Sequence, residues 1–421
     1  MTLSAVVALV IGLVALLARR TEGSWVAPAP MFAAFWAGIM FVAGITFTHL
    51  DLILASLYVL AAVIAMWIGS VIGHAFDPPP GEATPRLQSP PFIRAAILCA
   101  LVLGVVEIGV EFANTGRSLR DFFSLSAIIE TVISNRADRF NGVQQSAGEW
   151  VIMLILYTST FLGGILLRLY KSRRDILLAL SAPVMLTTVF ALYGSRVSAL
   201  YGGAFFVGTY LATSALVAEH RQVISTRALV RTAVMTTLLM IGLSVVTQGL
   251  RLSKSMPDGW RGAFADGFDY PAAMGIWMDQ RSFIGRDFTA GGRGFARIVA
   301  VAGISADPLP SIPVDFVASN IYSFFRDAIE DFGTLGSIVF FAVVGCVGRT
   351  LFSRALAGRV AILAPLSTLY AFLMTSPAED IFFYTISVAA IVLFTVYGAI
   401  LVVVHRRRLG RDAAALPASS P

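Results

Sequence analysis

The stretch NIYSFFRDAIEDFGTLGSIVFF (Asn320–Phe341) gathers one arginine, one tyrosine and three acids directly before a long apolar run. As a helix it places Ile321, Phe324, Phe325, Ala328 and Phe332 on one face. Tyr322, Arg326 and Glu330 stack at i, i+4 and i+8 on another. Ser319 or Asn320 is the expected cap, and Gly333 suits a left-handed residue past the end. A guanidinium offers fixed, forked donors that match phosphate oxygens and cannot be deprotonated. Glu330 or Asp331 could act as base toward a hydroxyl. The plainer reading of the pattern is an amphipathic helix at a membrane surface with ordinary i, i+4 pairs.

Other arginines fall where insertion alone would not keep them. Arg196 sits in the three-residue turn Gly194-Ser195-Arg196 between two apolar runs, where a charge is costly unless it is paired or reaches water. It is expected either to bind phosphate or to pair with Glu107, Glu111 or Asp331. Arg117 and Arg120 precede, and Arg136 and Arg139 follow, the apolar stripe of the run DFFSLSAIIETVISNRADRF. Its stripe of Phe122, Leu125, Ile128, Ile129, Val132 and Ile133 predicts a helix lying on the interface. Seven further basic residues lie between Arg251 and Arg297.

These groups need elements to position them. The chain has 421 residues, 57% hydrophobic and 13% charged, with a mean hydropathy of +0.80. That composition belongs to an all-α polytopic integral membrane protein. About eleven spans are expected, near 2–18, 30–48, 52–73, 93–113, 148–169, 175–193, 197–218, 232–250, 335–352, 359–376 and 381–404. They form one transmembrane domain over 1–405, followed by a short basic tail, 406–421. Placing Arg19 and Arg20 in the cytoplasm puts the other short basic loops there too, as the positive-inside bias requires. The N-terminus is then outside and the C-terminus inside, with larger outer loops at 113–148 and 251–334. Arg19 and Arg20 follow the first apolar run, the reverse of a cleaved signal, so that run is expected to be retained. The proline-rich stretch 76–91 reads as an extended connector.

Several function classes lack their signatures. No Walker A loop, GxGxxG, HExxH or Cys/His cluster occurs, so no metal or cofactor is expected. Cys99 and Cys346 lie in apolar runs and read as packing residues. Nothing points to nucleic acid. The spans carry their acids and bases near their ends, which argues against an ion-coupled transporter.

The segment NIYSFFRDAIEDFGTLGSIVF resembles the late Asn-(Val/Ile)-Tyr-(Thr/Ser)-Phe…Asp-Phe-Gly-x-x-Gly segment of oligosaccharide repeat-unit polymerases, the Wzy-type O-antigen polymerases. LYGSRVSALYGG (Leu192–Gly203) is similar to the Gly-Ser-Arg entry into one of their mid-chain spans. The resemblance runs loosely over residues 100–400, and it implies glycosyl transfer in surface polysaccharide biosynthesis, such as that of lipopolysaccharide. A glycan on undecaprenyl diphosphate or a similar carrier would move to a hydroxyl of another lipid-linked repeat unit, on the outer face of the bacterial inner membrane. Arg196 and Arg326 would hold the diphosphate, Asn320 and Tyr322 would orient it, and Arg136 and Arg139 would add to substrate binding. Implied partners are the lipid-linked oligosaccharide and membrane lipid, with a chain-length regulator as a candidate. The family more often has a few more spans, a difference that a re-entrant segment within Arg251–Gly333 would explain. An O-antigen ligase is disfavoured because Arg251–Gly333 contains no histidine. A flippase or exporter of lipid-linked sugars is the alternative from another class.

Overall fold

Apolar runs of this length can cross a bilayer only as helices, because no water is there to satisfy the backbone. The computed structural model describes residues 3–46, 52–79, 92–140, 147–170, 172–193, 196–218, 312–314, 317–319, 323–377 and 385–414, and those residues are overwhelmingly helical. In chain order the helices are α1 (Leu3–Glu22), α2 (Pro28–Thr46), α3 (Ile53–Gly73), α4 (Phe92–Asn114), α5 (Leu125–Phe140) and α6 (Ala147–Leu169). Then come α7 (Arg173–Leu192), α8 (Arg196–Leu216), α9 (Phe324–Leu356), α10 (Leu363–Thr375) and α11 (Thr385–Ala414). A two-stranded antiparallel hairpin, β1 (Ile312–Val314) and β2 (Val317–Ser319), precedes α9.

Eight of these helices are long and apolar enough to cross a membrane, namely α1 to α4, α6, α7, α9 and α11. The apolar helices in α8 and α10 are shorter. The span expected at 232–250 lies outside the described residues, as does most of the long loop after it. The protein is thus a membrane-embedded helical bundle. Residues such as Leu3, Leu13, Val102 and Val184 point outward, as lipid-facing side chains do. Cys99 is exposed among them, not packed, while Cys346 is partly buried. α11 runs on to Ala414, so the basic stretch expected as a separate tail begins as the last turns of that helix.

Small residues set the closest packing. α3 and α9 run side by side in the same direction, with Tyr58 beside Ser337 and Met66 beside Gly345. A Cβ on Gly345 would stand 2.0 Å from the Met66 carbonyl oxygen, and one on Gly69 1.8 Å from that of Ala342. Only glycine lets two backbones approach so closely, the usual device of helix contacts in lipid. α2 and α10 run the opposite way, and Pro28 meets Gly348 at one level while Phe32 stacks on Phe341 at the next.

α9 is not one straight helix. Gly333 has φ 67 and ψ 172, which breaks it into 324–332 and 334–356. A straight helix would hold Phe325 and Phe341 roughly 24 Å apart at 1.5 Å per residue. Their rings instead lie 5.1 Å apart, and Phe324 lies 5.6 Å from Phe340. The first part therefore folds back along the second, with Gly333 at the bend. Phe341 lies about 12 Å along the helix from that bend. Among the described residues a helix thus starts at the level of Phe341 and rises to Gly333, where the chain turns into the long apolar helix. This corrects the expectation of a helix lying on the surface: its residues Phe324 to Asp331 are buried on every side.

The segment at 113–148 also differs in part. The expected continuous helix is divided at Ser124 into a 3-10 turn, Leu119–Phe123, and α5. A reciprocal capping box between Ser118 and Asp121 starts the turn. Phe123 is left exposed, while Thr131, Val132 and Asn135 of α5 are buried. Part of its stripe is thus packed within the protein, beyond what an interfacial helix requires.

Candidate functional site

A helix that begins inside an apolar bundle must find partners for its first N–H groups. Ser323 is the N-cap residue, which corrects the expectation of Ser319 or Asn320. Its side chain makes no capping bond; the Phe324 N–H is donated to the Ser376 carbonyl at the end of α10, at 2.8 Å. Aromatic packing fixes the rest. Phe325 sits against Trp36 at 4.5 Å and Tyr58 at 5.4 Å, and Phe324 against Phe372 at 4.6 Å.

This re-entrant helix carries Arg326, Asp327, Glu330 and Asp331, all at most 5% exposed. The Arg326 Nε donates to Glu330 Oε1 at 3.3 Å, the i, i+4 pairing that the spacing predicts. Arg326 follows Phe325, which packs on Phe341, so the guanidinium-bearing residue lies about 10 Å below the bend at Gly333. Charges at that depth are costly unless paired and are characteristic of functional sites. These residues precede the span expected at 335–352, so the expectation about charges within the spans does not cover them. Their depth has a non-local cause: only the reversal at Gly333, closed by Ser376 and the ring of phenylalanines, carries these residues inward. Chemically the helix brings together a cation suited to phosphate and carboxylates able to accept a proton.

A second buried polar group joins α4, α5 and α7. Glu107 and Glu111 lie one turn apart on α4, and the Tyr193 hydroxyl lies within hydrogen-bonding distance of both, 2.6 Å from Glu111. Asn135 of α5 donates to Glu111 and, at 3.1 Å, to the Leu192 carbonyl. A phenol has one proton to give, so both contacts are hydrogen bonds only when one of the two carboxyls carries a proton itself. The signal in the sequence was the pair of acids four apart in an apolar span. Their partners, Asn135 on the next helix and Tyr193 more than eighty residues on, were not legible.

At the opposite end of the bundle Arg349 is buried between α1 and α3. Its Nη1 donates to Glu22 at 2.6 Å and its Nε to Asp77 at 3.0 Å. Ser70 also donates to Glu22, and His74 lies 3.3 Å from Asp77. Burial pushes the Asp77 carboxyl up, but the hydrogen bonds and charge of Arg349 outweigh it and hold the group below the usual carboxylate range. Arg94 and Asp175 tie α4 to α7 at 2.7 Å, with Arg94 over the Tyr170 ring. These pairs hold helices together.

Of the residues singled out from sequence, Arg326, Glu330 and Asp331 share the re-entrant helix. Arg196 is the first residue of α8, and Arg136 and Arg139 lie in the last turns of α5; their side chains lie outside the described residues, as do Asn320 and Tyr322 altogether. Arg117, considered with them, is engaged by Glu130 and the Ala127 carbonyl and serves to fold its own loop. Among the described residues no three His, Cys, Asp or Glu side chains gather as a metal site. Compared with known proteins, the chain matches no family model, no curated protein and no solved structure.

Proposed function

We propose that this protein is a glycosyltransferase of the bacterial cytoplasmic membrane that polymerises polyprenyl-diphosphate-linked oligosaccharide units of a surface polysaccharide at the outer face. The observation that carries the reading is the buried Arg326–Glu330 pair on a re-entrant helix. That helix coincides with the segment whose sequence resembles the polymerases, and a re-entrant segment is one explanation of the lower span count. The positive-inside bias supports an outer N-terminus and a cytoplasmic C-terminus, because Arg19, Arg20, Arg168, Arg173, Arg174, Arg354 and Arg359 collect at one end of the bundle. The bend at Gly333 then faces outward.

In this reading the acceptor sugar hydroxyl gives its proton to Glu330 or Asp331 and attacks the anomeric carbon of the donor. The bond from that carbon to the diphosphate oxygen breaks, and polyprenyl diphosphate leaves. Arg326, with Arg196, stabilises the charge growing on the departing phosphate, and placement below the surface strengthens that interaction by excluding water. Asn320, Tyr322, Arg136 and Arg139 bind the substrate. Purified protein given a polyprenyl-diphosphate-linked repeat unit, without nucleotide sugar or ATP, is expected to make a ladder of products. Arg326→Ala and Arg196→Ala are expected to abolish it; a ladder that survives both keeps the enzyme and discards this site.

A second reading is favoured by one observation. Arg326 and Asp327 lie well inside the bundle, as a carrier of lipid-linked sugars would need. Absence of any ladder, with movement of the same lipid across proteoliposomes, would establish it.

A further inference from the structure

Ser376 and Trp36 have no place in the chemistry above, yet both bear on where Arg326 sits. The Trp36 indole N–H donates to the Ser376 hydroxyl at 3.1 Å, and that hydroxyl donates to the Leu373 carbonyl at 2.8 Å. The Ser376 main chain closes the other side: its N–H goes to the Phe372 carbonyl at 3.0 Å, and its carbonyl receives the Phe324 N–H at 2.8 Å. Trp36 and Ser376 are each about 1% exposed. The Trp36 ring also packs on Phe325, the residue before Arg326.

We infer that Trp36 and Ser376 form a clasp that positions Arg326, and so are positioning residues for the transfer proposed above, on which this inference rests. The re-entrant helix has only nine residues before the bend, too few to be stable alone. Gly333 lets it pivot at one end, so its direction is set by what holds the other. Besides the ring packing of Phe324 and Phe325, that end is held by a backbone carbonyl, and the residue owning the carbonyl is itself fixed through its side chain by Trp36. Arg326 lies only two residues from Phe324, so a displacement of that end carries the guanidinium with it relative to the phosphate. Misplacement of a group by about 1 Å can cost on the order of a hundredfold in rate.

Trp36→Phe removes the N–H while keeping a ring against Phe325. Ser376→Ala removes the hydroxyl while keeping the carbonyl, and Ser376→Thr restores the hydroxyl. Trp36→Phe and Ser376→Ala are expected to lower kcat about tenfold with KM for the lipid-linked donor unchanged, the pattern of an interaction felt in the transition state. Ser376→Thr should recover most of it. Hydrogen exchange of the amides in 324–332 should quicken in the two weakened variants, with the rest of the bundle unchanged. If kcat and the 324–332 exchange stay at wild-type values, or if both change only in proportion to a loss of folded protein, the clasp is refuted. Should the wild type make no ladder, the polymerase reading falls and the exchange data alone judge the clasp. Faster exchange confined to 324–332 would then uphold it, and unchanged exchange would overturn it.

Discussion

Replacing Gly345 by alanine tests the closest contact in the bundle. The new methyl would lie 2.0 Å from the Met66 carbonyl oxygen and 2.8 Å from its carbon. That is about 1.4 Å short of ordinary contact, and the atoms in the way are backbone, which cannot swing aside. α3 and α9 must separate or shift along one another. Overpacking of this kind costs about 1–3 kcal/mol. Alanine returns about 1 kcal/mol through its better helix propensity. A rigid backbone obstacle belongs at the upper end of the first range, so the net loss is about 2 kcal/mol. Gly69→Ala meets Ala342 in the same interface, and one separation relieves both, so the double variant should lose less than the sum. Gly38→Ala and Gly109→Ala are matched controls, with nothing within 4 Å of the added carbon. Thermal melting in detergent, followed by near-ultraviolet circular dichroism, reads all of these. If Gly345→Ala melts no lower than Gly109→Ala, the α3–α9 register described above is wrong.

Two further outcomes follow from the buried polar groups. Tyr193→Phe leaves two facing carboxyls without their shared donor and should destabilise by about 1–3 kcal/mol, whereas Glu107→Gln keeps a polar partner, removes one potential charge and should cost less, a ranking that melting curves check. Asp77 has a folded pKa below its ordinary value of about 4, so its stabilisation is present at neutral pH and fades as pH falls through that range toward the folded value. Asp77→Asn should therefore melt lower than wild type at pH 7, with the gap closing on acidification; a gap constant from pH 7 to pH 3 would refute the pairing with Arg349.

Most of the bundle was legible because span boundaries depend on local composition. The run expected at 148–169 is the helix Ala147–Leu169, and the run at 93–113 is Phe92–Asn114. Gly333 was also legible, since a glycine after an amphipathic turn has a local reason to take a positive φ. Its consequence was not. Whether the chain at Gly333 ends a surface helix or doubles back depends on Trp36, Tyr58 and Ser376, all remote in sequence from Arg326. The same holds for Glu22, which reads as a residue beyond the first span and is drawn into α1, fully buried, by Arg349. Periodicity announces a helix's polar face; which protein surface covers that face is decided elsewhere.

The closure of the re-entrant helix has a bearing on how the protein is made. Ribosomes deliver Phe324 about fifty residues before Ser376, and the apolar stretch after Gly333 can insert as soon as it emerges. Its charged prelude cannot settle then, because the carbonyl that receives its first N–H does not yet exist. The prelude must wait at the water's edge until α10 is in place and only afterward sink against α2 and α3. Burial of Arg326 is thus a late event in assembly, and a chain truncated before α10 would retain its spans while lacking the folded site.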